Sequence, residues 1–165
     1  MSRTKDENDS LIEEIRECNA FNSGLAIDIH NNADGGDGFE VYYHFKGGIS
    51  KILAENIEAE VKVIGQNSRG CKTRINSGGK DYYGFIRETK CPAVIVEGCF
   101  VDNVTDAKIA DTAEEQRAFG VAYAKGILKT LGIATKENAE QNPKYCVQVG
   151  VYSQKENAEK QLQKC

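Results

Sequence analysis

The chain has 165 residues, 40% apolar and 28% charged, a balance that suits one folded α/β-sized domain with a small appendage and excludes wholesale disorder. Its 21 Lys and Arg stand against 25 Asp and Glu, a formal net charge of −4, which offers no basic face to nucleic acid. No apolar run approaches the ~18 residues that a membrane span requires, and the polar opening MSRTKDENDS does not read as a secretory signal.

In chain order, residues 10–21 are expected as a helix. Ser10-x-x-Glu13 forms a capping box, and Leu11, Ile15 and Cys18 recur at helical spacing. Asn22-Ser23-Gly24 stops it, with Gly24 suited to a left-handed turn. Residues 25–30 (LAIDIH) read as a short strand, 31–38 (NNADGGDG) as a loop and 39–44 as a second strand. Residues 50–64 place Leu53, Ile57 and Val61 on one face and predict a helix with Ser50 as its N-cap. A polar connection follows over 66–79, then a short strand over 81–88 built on Tyr82, Tyr83, Phe85 and Ile86. Residues 92–100 (PAVIVEGCF) hold the clearest buried strand. Asp111-x-x-Glu114 caps a last helix, in which Phe119, Tyr123, Ile127 and Leu131 repeat every four residues. Strands alternating with helices predict an α/β fold, an open, twisted, mostly parallel sheet flanked by helices.

From Gly132 the character changes. Residues 134–144 (ATKENAEQNPK) are polar, contain a Pro and read as a linker. Tyr145, Val147, Val149 and Val151 then share one face of a strand pattern, and 155–164 are helix-like. One strand and one helix cannot bury a core, so 145–165 read as the opening of a second module. The six cysteines (Cys18, Cys71, Cys91, Cys99, Cys146, Cys165) include no C-x-x-C pair and read as free thiols.

Two strands end in polar residues that apolar packing does not explain. The first delivers His30 to a Gly-rich loop, and the late strand delivers Glu97 to the start of another. Ligands in open α/β sheets bind beyond the C-terminal ends of strands, and a His with a carboxylate there is the minimum for a metal site with a general base. A hydrogen-bonded structural His, a capping or ion-paired Glu, and Asn31 and Asn32 as turn formers are the plainer alternatives.

These segments resemble a known family. IDIHNNADGGDGFEVYYH is similar to the second zinc-histidine segment of the zinc-dependent N-acetylmuramoyl-L-alanine amidases of the amidase-3 type, in which a strand ends in Ile-His-x-Asn-Ala before a Gly-rich turn and Glu-Val-Tyr-Tyr. CPAVIVEGCFVDN resembles the family's late Pro-Ala, strand and Glu segment, SRGCK its Arg-Gly-Val-Lys element, and 111–131 its final helix. Four segments in order, over about 2–133, carry the likeness, closest to the clostridial and phage endolysin branch. The resemblance implies an open α/β amidase domain over 1–133, His30 as a zinc ligand and Glu97 as the catalytic carboxylate. The implied reaction is cleavage of the amide between N-acetylmuramic acid and L-alanine in peptidoglycan, at the cell wall or outside the cell. YCVQVGVYSQKENAEKQLQK resembles the start of a SPOR domain, a peptidoglycan-binding module.

The family pattern begins with a Gly-His-Gly strand and a helical Glu that supply two further zinc ligands, and neither can be placed here. His44, the other histidine, lies on the second strand without ligand spacing beside it and reads as a partly exposed strand residue. The chain is therefore expected to be the later part of an amidase, inactive alone, with Met1 an internal methionine. The alternative is a non-catalytic, peptidoglycan-associated subunit that arises by internal initiation and accompanies the full-length enzyme. Peptidoglycan is the expected partner, and neither nucleic acid nor membrane is.

Overall fold

The computed structural model describes residues 10–134. The expected SPOR-like segment and all of the expected linker but Ala134 lie outside the described residues. Five helices, one 3₁₀ turn and four strands follow in the order α1 (Leu11–Phe21), β1 (Ala26–Asn32), β2 (Phe39–Tyr43), α2 (Ile49–Val63), β3 (Ser68–Lys72), α3 (Gly84–Glu88), β4 (Ala93–Phe100), α4 (Val104–Ala107), the turn Lys108–Ala110 and α5 (Ala113–Thr130). The strands form one sheet in the order β1-β4-β2-β3. The β1–β4 and β2–β3 pairs are parallel and β2–β4 is antiparallel, so the sheet is mixed and mostly parallel, an open α/β fold as expected.

Side chains alternate across the pleat and give the sheet two unlike faces. On one, Phe39, Val41, Val94 and Val96 pack against Leu53, Ala54, Ile57 and Val61 of α2 and Phe119, Ala122 and Tyr123 of α5. Gly126 lets those helices approach closely, because a Cβ there would lie 2.7 Å from Ile57 Cα, closer than any backbone contact allows. On the other face Ala26, Ala93 and Ile95 pack with Phe85 and Ile86 of α3, joined by Ile15 and Cys18 of α1. No residue of α1 is fully buried. Among the described residues no helix is long and apolar enough to cross a membrane.

Local differences from expectation have local causes. The Ser10–Glu13 capping box is present, but Asn22 rather than Gly24 takes the left-handed conformation after α1 (φ 54°). Gly48, not Ser50, caps α2, and the Ser50 hydroxyl donates to the Gly47 carbonyl at 2.9 Å. The Thr112–Glu115 pair caps α5, one residue beyond the expected Asp111–Glu114, and Leu131 lies past the helix, exposed.

The segment expected as a strand over 81–88 is mostly the short helix α3. Its adjacent apolar residues Phe85 and Ile86 are both buried against one face, which a strand cannot achieve, and Arg87 ties back to the Asp81 carbonyl at 2.7 Å. Residues 68–72, expected as part of a connection, form the edge strand β3. Lastly, β4 continues through Glu97 to Phe100, so Glu97 lies within a strand rather than at the mouth of a loop.

Candidate functional site

The strand register brings His30 and Glu97 together. They are direct partners across the parallel β1–β4 pair, and Glu97 is at the same time the partner of Glu40 across the antiparallel β2–β4 pair. Residue parity puts Asp28, His30, Glu97 and Glu40 on the α1/α3 face, in line with the apolar Ala26, Ala93 and Ile95. Glu97 therefore sits on a central strand between a histidine and a second carboxylate. Just beyond His30 the register shifts, with Asn32 opposite Phe100, so the regular ladder ends there in a bulge.

Each group is held differently. The Asp28 carboxylate lies 2.9 Å from His30 Nε2, and this hydrogen bond raises the imidazole's pKa above its ordinary value, with the Glu97 charge adding to the effect against partial burial. The Glu97 carboxyl is also pushed up, first by burial and then by the nearby Glu40 and Asp28 charges, while His30 pulls the other way. Its Oε2 is buried with no hydrogen-bond partner among the described residues. A buried acceptor without a donor is costly and marks a site with an unmet demand for a proton, a cation or a donor.

Glu40 shows the opposite behaviour. It is nearly fully buried, and burial alone would raise its pKa, but its Oε1 accepts from Arg69 and, at 2.6 Å, from Lys72 Nζ. Its Oε2 accepts from the Tyr42 hydroxyl at 3.1 Å and Asn32 Nδ2 at 3.4 Å. These cations and donors outweigh burial and hold the carboxyl below its usual range. The Tyr42 phenol is in turn pushed up by burial and by the Tyr83 and Glu40 groups beside it.

The Gly-rich loop after β1 is fixed from the far end of β4. Asp102 Oδ2 accepts the Asp34 and Gly35 N–H groups at 2.8 Å each, and Asn103 Nδ2 donates to the Gly36 carbonyl at 2.8 Å. Buried Asp106 takes the Gly38 and Phe100 N–H groups at 2.9 and 2.6 Å. Gly36 lies against the Phe100 ring, where a Cβ would sit 2.3 Å from Cζ, so any side chain there would have to displace that buried ring. The Arg69 guanidinium covers the same ring at 5.2 Å from its centroid.

His44 is elsewhere. It follows β2 at the end opposite Glu40, with Nε2 3.1 Å from the buried Asp81 carboxylate and Nδ1 accepting from the Lys46 N–H at 3.1 Å. It is a hydrogen-bonded residue of a turn rather than of a strand. Sequence reasoning singled out His30 and Glu97 but missed Asp28 and Glu40. The alternation of Asp28 with His30, and of Glu40 with Tyr42, was the available signal, since period-2 spacing puts such residues on one face.

Zinc is the metal that the resemblance implies, and a catalytic zinc takes three protein ligands and one open position. Among the described residues no three His, Cys, Asp or Glu side chains converge to hold a metal, and His30 Nε2 is already engaged by Asp28. The orphaned Glu97 Oε2 would welcome a cation, but the donors around it do not by themselves fit zinc.

Residues 1–129 match the family profile described as N-acetylmuramoyl-L-alanine amidase. The chain is similar to the N-acetylmuramoyl-L-alanine amidase CwlM of Bacillus licheniformis, 29% identical over 161 residues that cover 96% of this chain and 59% of that protein. It is also similar to an endolysin of Bacillus phage SPP1, 30% identical over 144 residues, 82% of this chain and 51% of that one. Among solved structures, Cwp6 from Clostridium difficile superposes with a TM-score of 0.77 at 34% identity, covering 79% of this chain and 22% of that chain. The catalytic domain of CwlV, an amidase from Bacillus (Paenibacillus) polymyxa var. colistinus, shares the fold with a TM-score of 0.69 at 23% identity, covering 81% of this chain and 72% of that one. The chain thus spans between half and three fifths of the length of these curated relatives. It belongs to the N-acetylmuramoyl-L-alanine amidase family of the amidase-3 type.

Proposed function

We propose that this chain carries the proton-transfer group of a peptidoglycan amidase, acting at the cell wall on the amide between N-acetylmuramic acid and the L-alanine of the stem peptide. The observation that carries the reading is the register pairing of His30 with Glu97, whose Oε2 is buried without a partner. Glu97 takes a proton from the attacking water and returns it to the departing alanine amine. A carboxyl whose proton affinity is raised by burial suits both tasks. His30 would offer its other ring nitrogen to zinc while Asp28 holds Nε2, and the ligands that would complete the set are not among the described residues. Residues 145–165 add a wall-binding element of SPOR type.

The test begins with the purified chain, zinc chloride and isolated peptidoglycan, scoring bound zinc and newly exposed alanine amino groups. Because the described residues offer His30 as a single ligand, sub-stoichiometric zinc and no release are expected; stoichiometric zinc with release would overturn that ligand assignment. A hybrid that joins to this chain the part of the Bacillus licheniformis relative outside the matched segment should bind zinc and release alanine termini. In that hybrid E97Q should keep the zinc and lose on the order of 10²-fold or more in rate. A hybrid with E97Q that keeps its rate would remove Glu97 from the mechanism.

A further inference from the structure

On the α1/α3 face, away from Glu97, the end of α1 meets the segment that leads into β4 in an open cleft lined by Cys18, Asn19, Asn22, Ser23, Lys90 and Cys91. The two cysteines are 73 positions apart in sequence, yet both sulfurs reach the same hydroxyl. Ser23 Oγ lies 3.8 Å from Cys18 Sγ and 3.5 Å from Cys91 Sγ. Both thiols are half-buried, so each is packed in place and still open to a small reagent. The neighbouring Asn19 clamps the two segments together, its Nδ2 donating to the Glu88 carbonyl at 3.0 Å and its Oδ1 accepting the Lys90 N–H at 2.7 Å. The backbones that carry the thiols are therefore pinned on both sides of the gap.

We propose that Cys18 and Cys91 form a disulfide when the chain meets a small-molecule disulfide oxidant, stapling α1 to the root of β4. The step is ordinary thiol–disulfide exchange. One cysteine thiolate attacks the small disulfide, forming a mixed disulfide and displacing one small thiolate. The second cysteine, deprotonated, attacks the protein sulfur of that mixed disulfide and displaces the other small thiolate. Two protein S–H bonds are lost, one S–S bond forms, and the two electrons leave on the oxidant as two small thiols. The Ser23 hydroxyl stands where it can donate to either thiolate. Burial and the neighbouring Cys91 push the Cys18 thiol up, so exchange runs faster in mildly alkaline solution.

The staple reaches the site through α1. That helix has no fully buried residue, and its Glu14 charge acts on His30. A bond from Cys18 to the start of the strand that carries Glu97 fixes this weakly held helix against the site.

The full chain is incubated with glutathione disulfide at about pH 8.5, freed of excess reagent and digested with trypsin without reduction. The expected product is lighter by about 2 Da and links the peptides 17–46 and 91–108. Since Cys99 shares the second peptide, the link must persist in C99S and vanish in C91S and C18S. Oxidation should raise the Tm by on the order of 5–15 °C, reversibly with reductant, because the bond closes a long loop. That rise should be absent in C18S and C91S. A link that survives C91S, a chain that stops as a stable glutathione adduct, or oxidation with no rise in Tm would each overturn the proposal. The mapping on the unmodified chain decides it even if a variant fails to fold.

Discussion

The two faces of the sheet are built on different terms. Toward α2 and α5, strand and helix residues interlock until Phe39, Val41, Leu53, Ile57, Val94 and Val96 are sealed from water, and Gly126 brings the helices to backbone contact. Toward α1 and α3 the cover is thin: a five-residue helix and a helix with no fully buried residue. Polar residues continue the apolar rows there, with Asp28 and His30 beyond Ala26, and Glu97 beyond Ala93 and Ile95. The first face holds the strands in register. The second uses that register to bring charged groups together at a cost in stability that the first face offsets.

This contrast can be broken most severely from the packed side. Leu53→Ala should cost about 2–5 kcal/mol in denaturant unfolding, because the void lies between a strand and two helices that cannot close on it. Next comes Glu40→Gln, which leaves Arg69 and Lys72 without their carboxylate. Since both cations can turn to water, a loss of about 1–3 kcal/mol is expected. Ile15→Ala on the thin face should cost less than about 1.5 kcal/mol in the same experiment, and a loss equal to that of Leu53→Ala would erase the distinction drawn between the faces.

The smallest effect has the opposite sign. Glu97→Gln should stabilise by a few tenths to about 1 kcal/mol at neutral pH, since it removes a buried carboxylate without a donor.

The two neighbouring carboxylates also predict opposite pH slopes. Glu97 binds its proton more tightly folded than unfolded, so its contribution to stability falls as pH rises from the ordinary value of 4.5 through the raised one. Glu40 binds its proton more weakly when folded, so its contribution is present above the ordinary value and is lost as pH falls through the lowered one. Unfolding titrations of E97Q and E40Q should each remove one slope and leave the other.

Much of this was legible in the sequence because it is written in short-range patterns. The 10–21 helix announced itself through its capping box, and Leu53, Ile57 and Val61 marked the buried face of α2. His30 and Glu97 stood out as polar groups on strands too apolar to need them. What could not be read there depends on partners far along the chain. Glu40 looks like an ordinary strand residue until Arg69 and Lys72 arrive from β3, which itself reads as a polar connection. The loop after β1 looks unconstrained until Asp102, Asn103 and Asp106 reach it across 67–68 positions. The segment 81–88 failed because its aromatic composition favours a strand, whereas burial of Phe85 beside Ile86 requires a helical turn.

The break in pairing just past His30 has an evolutionary corollary. Past that irregularity the glycine-rich connection leaves the β1–β4 ladder and hangs on Asp102, Asn103 and Asp106, so a change in its length would have to undo those contacts. A single insertion within β1 ahead of His30 has no slack to take it up. It would rotate the imidazole to the opposite side of the sheet, into the space occupied by hydrocarbon. Homologous chains should therefore keep the length of β1 and of the connection that follows it.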